Sequence, residues 1–191
     1  NGKLISFEIN PSVGDGVLYL KSTSNKTITS IPRGNAAVFS PDGSFLAYKI
    51  KVQADTIRQA KIEKVKKDKL PKDSLAVFMP ESGNTLSWAR LKSFAVPREG
   101  PALIAYQLEE EKKAEAKKED EAKEGEEEEK EGEEKKSDEK KEKKKEYKGS
   151  ELIVLDPKLE NQKAFAFVTE YKFSKKGNVL YITSIEEDSL N

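Results

Sequence analysis

The sequence predicts an all-β chain of small antiparallel sheets, and three observations carry the prediction. Apolar and polar residues alternate in short runs, the runs are broken by Ser, Asn, Pro and Gly, and one hairpin pattern returns three times. Alternation with a period of two puts one set of side chains on each face of a strand, and the breakers are residues that turn a chain cheaply.

Taken in order, the first run is "VLYLKSTSNKTITSIPRGNAAVFSPDGSFLAYKI" from Val17, which holds four short strands. The second, "LAVFMPESGNTLSWARLKSFAVPREGPALIAYQL" from Leu75, repeats its order of strand, turn, strand, strand, turn, strand. The third, "LIVLDPKLENQKAFAFVTEYKFSKKGNVLYITSI" from Leu152, again runs an aromatic strand into a Gly-containing turn and a hydrophobic strand. The repeats are therefore placed at about 17–50, 75–108 and 152–184.

The hairpins align best: "FSPDGSFLAY" from Phe39, "VPREGPALIAY" from Val96 with one extra residue, and "FSKKGNVLYI" from Phe173. Pro41 pre-sets φ for a type I turn, Asp42 bonds back to backbone amides, and Gly43 takes the left-handed conformation that lets the strands rejoin. Gly100 and Gly177 are expected to do the same. Any single hairpin uses Gly in this way, whereas three copies in one four-strand frame mark a repeat. A period of roughly 35 residues built of four strands is the signature of a β-propeller blade. One blade cannot bury both faces of its sheet, so the expected architecture is antiparallel four-stranded blades, about three of a larger propeller, within which residues 1–191 form part of one domain.

Two charged insertions follow hairpins at equivalent places. Residues 51–74, "KVQADTIRQAKIEKVKKDKLPKDS", place Ile57, Ile62 and Val65 at near-helical spacing among Lys and Arg, and Pro71 should stop the pattern, so a basic, partly helical loop is expected. Residues 109–149 are Glu and Lys with almost no apolar side chain, a low-complexity segment that cannot offset the entropy of ordering and is expected to be a disordered loop. Both loops should project from the same edge of adjacent blades.

Composition excludes more than it suggests. The chain has 35 basic and 35 acidic residues, so net charge gives no case for nucleic acid. It has no Cys and no His, which removes disulfides, thiolate nucleophiles, ordinary zinc sites and any Ser-His-Asp relay. There is no G-x-S-x-G elbow, no phosphate loop, no Asp-x-Asp-x-Asp-Gly calcium loop and no apolar run of membrane-spanning length, ~20 residues. The first residue is Asn1 rather than Met, which reads as an excised or mature piece. Asp15, Asp42, Asp55 and Asp156 fall in turns, where Asp is favoured for backbone reasons more than for acid–base work. Trp88, Phe94 and Tyr106 lie on strands and are expected to fill the space between blades. No catalytic, cofactor or metal residue is assigned.

In "FSPDGSFLAYKIK", "ADTIRQAKIEKVKKDKLPKDSLAVF", "LKSFAVPREGPALIAYQLEEEKK" and "YKFSKKGNVLYITS" the chain resembles the N-terminal propeller of exported serine peptidases of the prolyl oligopeptidase family from Bacteroides-like bacteria. The resemblance runs from about Val17 onward. It implies a downstream α/β-hydrolase domain that carries the catalytic triad, short peptides as substrates of the parent, and a propeller that covers the active site and limits access to it. It also implies a periplasmic or secreted location. No residue that anchors a substrate amino terminus is carried over, Glu186 and Glu187 lacking the family's aromatic surroundings. The chain alone is expected to be no enzyme, to need no cofactor, and to self-associate through unpaired sheet edges and faces. Two other functions fit the repeat: a propeller that scaffolds other proteins with no enzyme attached, and a charged loop that is itself the working element.

Overall fold

In a computed structural model, residues 2–24, 28–66, 69–109 and 149–185 are described. They carry strands β1 (Leu4–Ile9), β2 (Val17–Ser22), β3 (Ile28–Pro32), β4 (Gly34–Phe39), β5 (Leu46–Ile50), β6 (Ser74–Phe78), β7 (Thr85–Trp88), β8 (Leu91–Ala95), β9 (Ile104–Leu108), β10 (Ser150–Asp156), β11 (Asn161–Phe173) and β12 (Leu180–Ser184). One helix, α1 (Ala54–Ile62), lies between β5 and β6. All belong to one unit, and the stretch predicted to be disordered lies, apart from Glu109 and Gly149, outside the described residues. No helix among those described is long and apolar enough to cross a membrane.

The strands form three antiparallel sheets in chain order: β1-β2-β3, then β4-β5-β6-β7, then β8-β9-β10-β11-β12. Uniform four-stranded sheets were expected, and the counts are three, four and five. The fifth strand arises because β11 runs unbroken for 13 residues. It pairs with β10 as far as Val168 and with β12 from Val168 onward, so one strand serves two neighbours in succession. The repeats read from the sequence also straddle the sheets. Residues 17–50 hold β2 and β3 of the first sheet and β4 and β5 of the second; 75–108 hold β6 and β7 of the second and β8 and β9 of the third. A period has no phase of its own, and only the hydrogen bonds fix where a sheet begins.

The step from one sheet to the next repeats in backbone detail. Arg33 and Arg90 stand at the two crossings between sheets, and Phe167 stands where β11 changes partner from β10 to β12, with φ of 62°, 60° and 55°. Each carbonyl accepts the N–H of the residue just past the next hairpin: Lys51 to Arg33 at 2.9 Å, Glu109 to Arg90 at 2.8 Å, Ile185 to Phe167 at 3.0 Å. Just beyond each crossing the register slips, between Asn35 and Val38, Leu91 and Ser93, and Val168 and Glu170. A left-handed residue followed by a bulge redirects the chain from one neighbour to the next, between sheets at Arg33 and Arg90 and within the third sheet at Phe167. Gly149 lies so close to the Phe167 backbone that a Cβ there would overlap its carbonyl.

Apolar layers fill the spaces between sheets. Leu18 and Leu20 of β2 meet Leu46 and Tyr48 of β5 and Ala76 of β6. The opposite face of the second sheet, with Ala47, Leu75 and Val77, meets Ile104 and Tyr106 of β9 and Leu155 of β10. Ala105, Leu152 and Val168 begin a third layer, joined by Tyr171, Leu180 and Ile182. The central strands of the second sheet, β5 and β6, are thus buried on both faces, as "LAYKI" and "SLAVF" require, while β4 and β7 alternate.

The helix corrects two expectations. Its buried residue is Ala60, while Ile62 is 73% exposed and Ile57 and Val65 are only half-buried. Ile57 and Ile62 are five residues apart and so point away from one another on a helix of 3.6 residues per turn. Nor does Pro71 stop it. Lys64, at φ 54°, donates to the Lys61 carbonyl and Val65 N–H to that of Ala60, a Schellman ending that satisfies the last carbonyls. At the other end the Asp15 carboxylate accepts the Ala54 N–H at 2.8 Å. Lys72 and Glu109, at the roots of the two insertions, form an ion pair at 3.0 Å.

Candidate functional site

The residues singled out from the sequence lie in the hairpin turns. In the turn between β4 and β5, Gly43 has φ 73°, and its N–H bonds the Ser40 carbonyl at 2.9 Å. Gly177, φ 71°, bonds Ser174 in the same way at 2.9 Å, and Gly100 has φ 89° in the longer second turn. Gly100 and Gly177 also face one another: a Cβ on Gly100 would reach the Lys176 carbonyl, and one on Gly177 the Glu99 carbonyl. These two turns touch through bare backbone, which only glycine permits.

Pro41 and Asp42 border a cleft of about 470 Å³ together with Ser22, Ser24, Glu81 and Lys158. The Asp42 carboxylate accepts the Ser44 N–H at 3.0 Å, the Ser44 hydroxyl at 2.7 Å, the Ser40 hydroxyl at 2.8 Å and the Lys158 ammonium at 2.7 Å. Partial burial pushes this carboxyl up, but the bonds from Lys158, Ser44 and Ser40 outweigh it and hold the group well below the usual carboxylate range. The same bond to Asp42 raises Lys158. A carboxylate with both oxygens occupied is a fastener for the turn and not a proton acceptor at neutral pH.

The remaining aspartates do not gather around it. Asp15 bonds the amide of Ala54, Asp156 those of Lys158 and Leu159, and Asp55 pairs with Arg58 at 3.7 Å on the helix surface. Among the described residues no group of three His, Cys, Asp or Glu is placed to hold a metal ion. Glu186 and Glu187 lie outside the described residues.

A second cleft, of about 520 Å³, was not legible in the sequence. It opens between β8 and β9 on one side and the second half of β11 with β12 on the other. Its floor is a polar chain: the Gln107 amide, 3% exposed, donates to the Val168 carbonyl at 2.9 Å and accepts from Ser93 at 3.3 Å, and Ser93 shares a hydrogen bond with the Tyr171 hydroxyl at 2.9 Å. Burial raises the Tyr171 phenol, and the Ser93 bond offsets this in part. Thr169, Thr183, Glu170 and Lys172 line the walls. The cleft offers hydroxyls and an amide without a nucleophile–base pair, a surface that can hold a polar chain but has no means of cleaving it. The separation of 78 positions between Ser93 and Tyr171 explains why no motif announced it.

Trp88 and Tyr106 lie in the layer between the second and third sheets with ring centroids 4.9 Å apart, and Phe94 packs beside them. Tyr106 is fully buried, and its hydroxyl has no hydrogen-bond partner. Burial, helped by the nearby Glu151, pushes that phenol up to about 12.

No protein-family model matches the chain. No curated protein matches it either. Among solved structures it is similar to the β-propeller domain of the trilobed protease from Pyrococcus furiosus, described as having an open velcro topology, at TM-score 0.42 and 11% identity, over 86% of this chain and 40% of that one. It is also similar to the acylaminoacyl peptidase of Pyrococcus horikoshii, at TM-score 0.43 and 9% identity, over 90% of this chain and 25% of that one. The chain thus spans less than half the length of either.

Proposed function

We propose that this chain is a non-catalytic β-propeller segment of an exported serine peptidase of the prolyl oligopeptidase family, and that it covers the active site of a hydrolase domain in the same polypeptide and admits short peptides to it. The observation that carries the reading is the left-handed crossing repeated at Arg33 and Arg90, which stacks successive sheets face to face in chain order as a propeller does, and whose backbone pattern recurs at Phe167 within β11. It also leaves β4 and β8 at the edges of their sheets, and β11 beyond Val168 with a single neighbour, so that the first strands of successive sheets keep free edges. The sequence resemblance in the hairpins and insertions supports the attached peptidase, and the absence of His from all 191 residues supports a chain that does no acyl transfer itself.

The test is an assay of the full-length parent on short chromogenic peptides and on a long unfolded polypeptide, with and without a serine-directed phosphonate. Inhibitable cleavage confined to the short peptides is expected, with none from this chain alone. Absence of inhibitable cleavage would refute the peptidase assignment and leave a propeller that binds other proteins.

A further inference from the structure

The cleft over Gln107 is lined by runs of consecutive residues, 93–95 of β8 and 169–172 of β11. Successive side chains of a strand point to opposite faces, so a cavity lined by consecutive residues runs along the edge of the strand, where the main-chain N–H and C=O groups lie. Both edges are free there. β8 is an outer strand of the third sheet, and β11 beyond Val168 pairs with β12 alone. Among the described residues, no backbone hydrogen bond of a turn or loop uses residues 92–95 or 169–172. The floor between the edges also keeps unspent groups. Ser93 donates to the Gln107 carbonyl oxygen, so the Tyr171 hydroxyl donates to Ser93. That leaves the acceptor lone pairs of Tyr171 and, because Gln107 gives one amide hydrogen to the Val168 carbonyl, its second amide hydrogen.

We infer that this cleft binds an extended peptide segment, whose main chain pairs with the free edge of β11 and whose alternate side chains lie on the Gln107–Ser93–Tyr171 floor. Three features favour that ligand. Rows of unpaired main-chain groups at strand spacing are complementary to another strand, which satisfies them in alternation as a ladder does. The floor offers one donor beside one acceptor, which matches a side-chain amide or hydroxyl and gives an apolar side chain nothing. Glu170 and Lys172 bring one charge of each sign to the walls, so the cleft has no field that selects an anion or a cation. The edge from 169 to 172 is matched by a peptide of about five residues. The inference is independent of any attached peptidase.

An amide NMR titration of this chain tests it, with the end-blocked peptide acetyl-Thr-Val-Asn-Val-Thr-amide, which alternates floor-directed polar residues with strand-forming Val. Two further peptides carry N-methyl groups on one or the other set of alternate residues, and maltohexaose serves as a polyhydroxyl chain without peptide groups. Saturable shifts concentrated in residues 92–95 and 169–172 are expected, with slowed exchange of the β11 amides. A strand paired along one edge uses every second N–H, so N-methylation of one set should weaken binding at least ~10-fold. Maltohexaose should leave the spectrum unchanged. The absence of shifts up to millimolar peptide overturns the proposal, as do shifts centred elsewhere or binding indifferent to N-methylation of either set. Maltohexaose shifting these same amides would overturn it in favour of a carbohydrate site. All of these outcomes are read on this chain alone, so a parent without peptidase activity would leave the inference standing.

Discussion

Asp42 is held by three kinds of donor at once, an amide, two hydroxyls and an ammonium, and its proton affinity falls as a result. Because the folded state lowers this carboxyl below its ordinary 3.8, its contribution to stability is fully present above that pH and is lost as pH falls further. Acid titration of unfolding should therefore show a loss below about pH 4 that is shallower in Asp42→Asn. Tyr106 works in the opposite direction. Its folded value is raised from 10.0 to about 12, so that contribution is present below pH 10 and is lost as pH rises through the folded value. Since its hydroxyl is buried without a partner, Tyr106→Phe should stabilise the chain by about 1 kcal/mol in urea denaturation and flatten the alkaline limb. A destabilised Tyr106→Phe would mean that the hydroxyl has a partner after all.

Among the elements, the hairpin turns and the crossings do separate jobs. The turns at Gly100 and Gly177 bring the β8–β9 and β11–β12 hairpins of the third sheet together by backbone contact. Gly177→Ala combines a positive φ with overlap at the Glu99 carbonyl, and a loss of roughly 2–3 kcal/mol is expected by chemical denaturation. The turns were readable in the sequence because Pro, Asp and Gly have strong local preferences. The crossings were not, because what Arg33 and Arg90 have in common with Phe167 is a left-handed backbone that neither Arg nor Phe prefers and no local motif announces. For the helix, which of its apolar residues is buried depends on where its N-terminus is tied, and Asp15 ties it from 39 residues away.

At the scale of the whole molecule, β9 and β10 pair directly from Leu155 with Ile104 to Leu152 with Gln107, on either side of the long insertion. Replacing residues 110–148 by about four Gly and Ser residues should therefore preserve the fold, and a shorter closure would raise stability by up to about 2 kcal/mol. Circular dichroism melts check this, and a collapse of the transition would show that the insertion helps to hold the sheets. The stack also sets where binding can occur. The cleft over Gln107 is walled by strands that begin at Leu91 and end at Ser184, and it forms because the left-handed turn at Phe167 lays the second half of β11 beside β8.

The sequence by itself determined the strand content, the three hairpins with their left-handed glycines, the sites of both insertions and the absence of imidazole and thiol chemistry. All of these depend on residue type or on neighbours within about ten positions, where sterics and alternation act directly. Tertiary structure decided where each sheet begins, which carboxylate is tied to which amine, the Gln107–Ser93–Tyr171 chain, and the fact that Ile5 and Phe7 lie half-exposed while Leu46, Tyr48, Ile104 and Tyr106 at the matching positions are buried. Those depend on contacts between residues far apart in the chain, and alternation along a strand cannot specify which surface will face it.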